Sequence, residues 1–300
     1  MEKASTRSIV VTDSGLGGLS VLSELASRLK KQSPWKSVRL TYVNAWPAPH
    51  RGYNHFKTIE QRSRVFNNAL DSMRQFDPDQ ILIACNTLSV IYPHTPFSRT
   101  SKMPVQGIIE HGVAMLYEKL AADPQSMAVI LGTPTTAMAK THENALHRMG
   151  ISKDRIINTG CTNLAGWIER QPHSKEVDRM IETCTKETGE KLRGFSGTAH
   201  VGLCCTHFGY KTPLFQKAFD RFVSGKSMVL NPNTRMADKA LDCGQATKFS
   251  PADIEIKIVS KDEWSPFQIN AYFELIPDMA EDVRNALKHY TLNPNLFNTD

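Results

Sequence analysis

The sequence predicts an α/β protein made of two similar flavodoxin-like domains with parallel sheets, and three observations carry that expectation. Strand-like and helix-like segments alternate along the chain, the pattern of a parallel sheet with helices on both faces. A short apolar run ending in a cysteine and then in small polar residues occurs twice, as Ile81-Leu-Ile-Ala-Cys-Asn-Thr-Leu-Ser89 and as Val201-Gly-Leu-Cys-Cys-Thr-His-Phe208. The chain has 300 residues with 40% hydrophobic and 22% charged content, enough for two cores.

Taken in order, Ser8 to Thr12 is a β-branched apolar run and is predicted as the first strand; a glycine-rich turn then opens a helix over 18–31. The second strand is predicted at 37–43 and a helix at 58–75. The strand at 80–84 delivers Cys85, and a further strand is predicted at 104–109. A helix over 112–122, a strand at 127–131 and a helix over 135–149 continue the alternation. Next come a strand at 155–158, helices over 163–170 and 175–188, and the strand at 200–203 that delivers Cys205. A helix over 211–222, a strand at 228–230 and a final helix over 277–289 complete the pattern, the last following an acidic and aromatic stretch at 262–273. The repeat of the strand-cysteine pattern places domain borders near residues 103 and 212. Residues 1–102 with 213–300 form the first domain and 103–212 the second, the C-terminal segment returning to the first.

Composition narrows the function classes. Six cysteines, at 85, 161, 184, 204, 205 and 243, are too sparse for a disulfide scaffold, and no C-x-x-C suggests a zinc or thioredoxin-like motif. No metal site is expected. The net charge of +6 comes from scattered basic residues, with no run longer than Lys30-Lys31 and no interleaved aromatics, so a nucleic-acid partner is not expected and an anionic small molecule is. No segment approaches the roughly 18 apolar residues of a membrane helix. The first residues run into a strand without a signal-peptide core, which predicts a cytoplasmic protein with no membrane partner.

Ligands of open parallel sheets bind outside the carboxyl ends of the strands, where both cysteine motifs are predicted to lie. Either thiol alone reads as a small buried hydrophobe; the paired contexts favour proton removal and return. His207 is able to stabilise a thiolate or protonate a neighbour. Cys204 is expected to turn away from Cys205, because successive strand residues face opposite sides. In Thr12-Asp-Ser-Gly-Leu-Gly-Gly-Leu-Ser20 the spacing of Gly15, Gly17 and Gly18 excludes a dinucleotide fingerprint, and no Walker lysine follows. Asp13 and Ser14 offer a carboxylate and a hydroxyl at the strand end, although the segment also reads as a turn and cap. Gly132-Thr-Pro-Thr-Thr136 reads as a helix cap on Thr133 or Thr135 that also supplies hydroxyls. Arg51, in His50-Arg-Gly52, is a candidate carboxylate clamp.

Together these segments resemble the glutamate racemase family of the cofactor-independent aspartate/glutamate racemase superfamily. Asp13 to Leu19 resembles D-S-G-x-G-G-L, Ala84 to Thr87 matches A-C-N-T, and Pro104 to Ile109 resembles P-V-x-G-V-I. Gly132, Thr133 and Thr136 fit G-T-x-x-T, Cys161 to Glu169 keeps a cysteine-to-glutamate spacing, and Leu203 to His207 resembles L-G-C-T-H. The resemblance implies a pseudo-twofold pair of domains with the active site at their interface. It implies racemization of L- and D-glutamate without a cofactor, a role in cell-wall peptidoglycan synthesis, and points to a homodimer. Cys85 and Cys205 are then the opposed acid and base, with Asp13 and His207 beside them as catalytic groups. Ser14, Arg51, Gly52, Asn86, Thr87, Thr133, Thr136, Thr206 and Glu169 take substrate-binding positions. The chain departs from the family where P-Y-G is His50-Arg51-Gly52, where a tyrosine is His142, and where a proline is Gly209. Racemization or isomerization of aspartate, another amino acid or a dicarboxylic acid stays open as an alternative, as does a non-catalytic amino-acid-binding relative.

Overall fold

The computed structural model describes residues 6–48, 51–242 and 251–299. Its strands and helices run β1 (Thr6–Asp13), α1 (Leu19–Lys31), β2 (Ser37–Asn44), α2 (Ile59–Met73), β3 (Gln80–Ile83), α3 (Asn86–Ile91), α4 (Pro96–Thr100) and β4 (Val105–Gly107). The chain continues through α5 (Ile108–Ala122), β5 (Met127–Gly132), α6 (Pro134–Ala139), α7 (Thr141–Arg148), β6 (Ile156–Gly160), α8 (Leu164–Arg170), α9 (Lys175–Lys191), β7 (Thr198–Cys204), α10 (Thr212–Phe222) and β8 (Lys226–Leu230). It ends with α11 (Pro232–Ala240), β9 (Asp253–Ser260), α12 (Pro266–Leu275), α13 (Glu281–Lys288) and β10 (Thr291–Leu292).

These elements form two compact units, 1–107 with 233–300, and 108–232. The first holds a six-stranded sheet in the order β10-β9-β2-β1-β3-β4, the second a four-stranded sheet in the order β6-β5-β7-β8. Every neighbouring pair in both sheets is parallel. The predicted α/β class with parallel sheets is therefore what the chain forms. The second border differs from the expected position near 212: α10 and β8 stay with the second unit, because β8 is hydrogen-bonded to β7 with Val201 opposite Val229. The first border falls at 107/108 rather than 103, since β4 pairs with β3.

Strand β1 is apolar without alternation, and Ile9, Val10 and Val11 are all fully buried, as in a strand covered on both faces. On one face of the first sheet Val10, Ile81 and Ile83 pack with Phe66 and Leu70 of α2 and Leu88 of α3. In the second unit Val129, Leu131, Val201 and Leu203 pack with Ile181 of α9 and Phe215 and Phe219 of α10. Helix α2 starts sharply at a capping box in which Thr58 accepts from the Gln61 amide at 3.3 Å and the Gln61 side chain accepts from the Thr58 amide at 3.4 Å.

Candidate active site

In the first unit β1 and β3 are neighbours with Thr12 opposite Ile83, and the Ala84 amide donates to the Thr12 carbonyl at 2.9 Å. Joining the carboxyl ends in this way makes Asp13-Ser14 and Cys85 leave the sheet side by side. Ser14 Oγ and Cys85 Sγ are hydrogen-bonded at 3.2 Å. Asp13 is 1% exposed. Burial first, and the Asp13 carboxylate second, push the Cys85 thiol up; the Ser14 hydroxyl and the Leu88 and Ser14 amides oppose them without prevailing. Cys85 precedes the first turn of α3, where Asn86 and Thr87 are buried. Both polar atoms of the Asn86 amide lack a hydrogen-bond partner among the described residues. Gly18, at the start of α1, lets this packing close: a Cβ there would lie 3.0 Å from the Asp13 Cβ and 3.1 Å from the Ala84 Cβ.

The loop after β2 begins beside the same strand end, with the Ala45 amide donating to the Asp13 carbonyl at 2.8 Å. Asn44 accepts from the Trp46 amide at 2.8 Å, and Ala48 and Arg51 form an antiparallel bridge. Gly52 is pressed on the Trp46 indole, where a Cβ would come within 2.5 Å of the ring. Arg51 is exposed, and its guanidinium lies over the Phe56 ring at 4.6 Å. His50 lies outside the described residues.

In the second unit Gly132 pairs with Cys204, so the turn after β5 and the segment after β7 also leave their sheet together. Thr133 caps α6, its hydroxyl accepting from the Thr136 amide at 3.4 Å and meeting the Thr136 hydroxyl at 3.1 Å. Thr136 is fully buried. Cys205 follows β7 in extended conformation and leads into a 3-10 turn over Thr206–Lys211. Cys205 belongs to the buried cluster that holds Phe208 and Phe215, whereas the Cys204 thiol lies on the side of Gly202 and Leu116 of α5. The two cysteines thus turn apart as predicted. Burial, with Cys205 as a second cause, drives the Cys204 thiol up and keeps it protonated.

His207 Nε2 is hydrogen-bonded to Glu169 Oε2 of α8, and the ring also bonds the Cys205 thiol. Burial works to lower its pKa. The Glu169 carboxylate and the two hydrogen bonds outweigh burial, so the imidazole titrates well above its ordinary value and carries a proton. Cys161 and Cys184 are free thiols joined by a hydrogen bond, and that hydrogen bond, then burial, then the nearby Cys184 and Cys205 sulfurs push the Cys161 thiol up.

The structure brings Asp13, Ser14, Cys85, Asn86 and Thr87 together in one unit, and Thr133, Thr136, Cys205, Thr206, His207 and Glu169 at the strand ends of the other. Arg51 meets Phe56 and Gly52 meets Trp46, neither of which sequence reasoning singled out. It also missed Tyr53, buried in the cluster that holds Cys85; an aromatic directly after Arg51-Gly52 was the available signal. Among the described residues no group of three or more His, Cys, Asp or Glu is gathered as for a metal ion, and no helix is long and apolar enough to cross a membrane.

No model of a known protein family matches the chain. The curated glutamate racemase of Helicobacter acinonychis (strain Sheeba) is 29% identical over 200 residues, 67% of this chain and 71% of that protein. A glutamate racemase isoform from Bacillus anthracis has the same fold, with TM-score 0.68 at 18% identity over 96% of each chain. The Francisella tularensis glutamate racemase, solved in complex with D-glutamate, gives TM-score 0.64 at 18% identity over 91% of this chain and 94% of that one. The fold, two units with parallel sheets, is the one these racemase structures have. In sequence and in fold the chain is similar to glutamate racemases.

Proposed function

We propose that this protein interconverts L- and D-glutamate by removing and returning the α-proton, with Cys85 and Cys205 alternating as base and acid and with no cofactor. The observation that carries the reading is the repeated thiol at a strand end, each with its own polar partners: Ser14 and Asp13 for Cys85, His207 and Glu169 for Cys205. The α-proton of an amino acid is very weakly acidic, so a base must be positioned against it and the developing negative charge must be stabilised. Cys85, disfavoured as an anion by burial and by Asp13, begins as the proton donor. The protonated His207 compensates negative charge on Cys205, which begins as the acceptor. One sulfur takes the proton from one face of Cα, and the other returns a proton to the opposite face of the carbanion. Each turnover exchanges their protonation states.

The buried Asn86 amide, with an unpartnered donor and acceptor, suits a substrate carboxylate or ammonium. Thr87, Thr133 and Thr206 supply hydroxyls and amides, while Thr136 shapes the turn that presents Thr133. The partner is a small amino acid, handled in the cytoplasm by a chain that we read as forming a homodimer.

The test is α-proton exchange on L- and D-glutamate in deuterated water, with metal-free protein and no added cofactor. Exchange and inversion are expected in the wild type and should fall by about 10²–10⁴-fold in Cys85→Ser and Cys205→Ser, the range that a positioned acid or base contributes. Wild-type protein that binds glutamate without exchanging its α-proton would refute the assignment and favour a non-catalytic relative. A second reading keeps this chemistry and changes the side chain accepted. Arg51, held on Phe56 where the family has tyrosine, favours an acidic substrate with a different carboxylate position.

A further inference from the structure

The apolar cluster around Cys85 contains a polar atom that the chemistry above does not use. Tyr53 is 2% exposed, and its phenolic oxygen is buried without a hydrogen-bond partner among the described residues. Its ring is fixed from two sides. It meets Phe66 edge-on, with centroids 6.1 Å apart and planes at 87°, and it leans on Phe56 at 6.3 Å. Phe56 in turn carries Arg51 on its ring, and Tyr53, Phe56 and Cys85 belong to one buried cluster. A phenylalanine would fill this space and bury no unpaired donor, whereas an unpaired buried hydroxyl loses its hydration for nothing in return. The hydroxyl gains a partner if a neighbour becomes an acceptor during the reaction, and the neighbour that does so in this cluster is Cys85.

We propose that Tyr53 is a positioning residue for Cys85: when the thiol gives up its proton, the Tyr53 hydroxyl rotates toward Sγ and donates a hydrogen bond to the thiolate. This rests on the reading of Cys85 as an acid-base group. The proton lost by Cys85 goes to the substrate carbanion, and Tyr53 keeps its own. Burial and, after it, the charge of Cys85 hold the phenol well above its ordinary pKa, so it serves as donor and not as acid. Tyr53 thereby joins Ser14 against the two influences that resist the thiolate, burial and Asp13. A hydrogen bond to a charged acceptor is among the stronger kinds, and its loss should be readable in sulfur reactivity.

Brief iodoacetamide treatment, followed by mass spectrometry of the Cys85 peptide, reads the thiolate fraction directly, because only the thiolate reacts. In Tyr53→Phe the Cys85 alkylation rate at each pH from 7 to 9 should fall about ten-fold, the effect of a one-unit rise in thiol pKa. Proton exchange should slow by the same order in the direction that uses Cys85 as base. The melting temperature should stay level or rise, because the removed hydroxyl has no partner. A tyrosine that only fills space leaves the alkylation rates superimposed on wild type, which overturns the proposal. 3-Fluorotyrosine at position 53 gives an independent reading without removing the ring: the more acidic phenol should speed alkylation, and an unchanged rate also overturns the proposal. The two readings fail separately. Racemization with an unmoved Cys85 rate rejects Tyr53 alone, whereas a Tyr53-sensitive Cys85 in a protein that exchanges no α-proton rejects the racemase assignment alone.

Discussion

Arg51 is exposed, yet its guanidinium is seated on Phe56 at 4.6 Å, so the cation has a defined place instead of sweeping through solvent. Its loop is anchored on both sides, by the Ala48 bridge and by Gly52 against Trp46. A planar fork held this way is preorganised for a carboxylate, at less entropy loss than a lysine would incur. If Arg51 reads the substrate side chain, Arg51→Tyr should change the ratio of kcat/KM for glutamate against aspartate and longer dicarboxylic amino acids by about ten-fold or more, since a charge-assisted hydrogen bond contributes about 1.5–3 kcal/mol. Steady-state kinetics on that substrate panel checks it. Unchanged ratios with glutamate still the best substrate would show that the loop has altered without altering specificity. The structure of Arg51 also shows a limit of single residues read from sequence: its type was legible, its aromatic seat was not, because Phe56 reaches it through the fold of the loop.

Helix α1 approaches the end of β1 closely enough that its N-cap residue, Gly18, has no room for a side chain. The Gly18 backbone is in the ordinary helical region, so alanine meets no backbone strain there. It meets the Asp13 and Ala84 Cβ atoms, at 3.0 and 3.1 Å. Gly18→Ala should cost about 1–3 kcal/mol by overpacking. It should also displace Asp13, lowering exchange activity beyond what the loss of folded protein explains. Thr58→Ala provides the comparison, losing about 1 kcal/mol of cap on α2 with activity per folded molecule intact. Denaturant midpoints beside exchange rates distinguish them, and equal activity in the two variants would remove Gly18 from any part in placing Asp13. The strands that sequence made legible are continuous apolar runs covered on both faces. Strand β9 was missed because it alternates: Asp253, Glu255 and Lys257 are exposed while Ile254, Ile256 and Ile258 face inward to differing degrees. The alternation itself was the available signal. Helix α3 was legible only as a helix start at Cys85-Asn86-Thr87, and its extent was missed for the opposite reason. All six of its residues are buried, so no polar face marks its period. Predicted helix 135–149 is two helices, α6 and α7, broken at Lys140, whose φ of 51° is left-handed. The strand-end thiols were legible because their neighbours are local; the pairing of Glu169 with His207, 38 residues apart, was not, since the family resemblance gave each a place at the site without joining them.

For the whole molecule, two buried histidines link stability to pH with opposite signs. His207 has a raised folded pKa, so its contribution is fully present below the unfolded value near 6.5 and is lost as pH rises through the folded value. His142, on α7, is 1% exposed, neither ring nitrogen has a hydrogen-bond partner among the described residues, and burial lowers its pKa to about 4. Its imidazole stays neutral in the folded protein while the unfolded chain takes up a proton. Stability is therefore full above about pH 6.5 and is lost as pH falls toward 4, by about 3 kcal/mol over the interval at ~1.4 kcal/mol per pH unit. His207 adds slope only at the upper end of that window, where the unfolded chain is still taking up its proton, and adds it to wild type and variant alike. Carboxylates that ionise below about pH 5 add slope to any variant alike. The difference between wild type and His142→Tyr, which installs the residue type of the family, thus isolates one buried imidazole. Repacking around the larger ring shifts the variant's stability by a constant, and the test reads only the slope. Urea midpoints from pH 7 to 4.5 should converge or cross, with wild type losing stability faster on acidification. Parallel curves would mean that His142 gains a proton in the folded chain as readily as in the unfolded one, and that its burial has no electrostatic consequence for the fold.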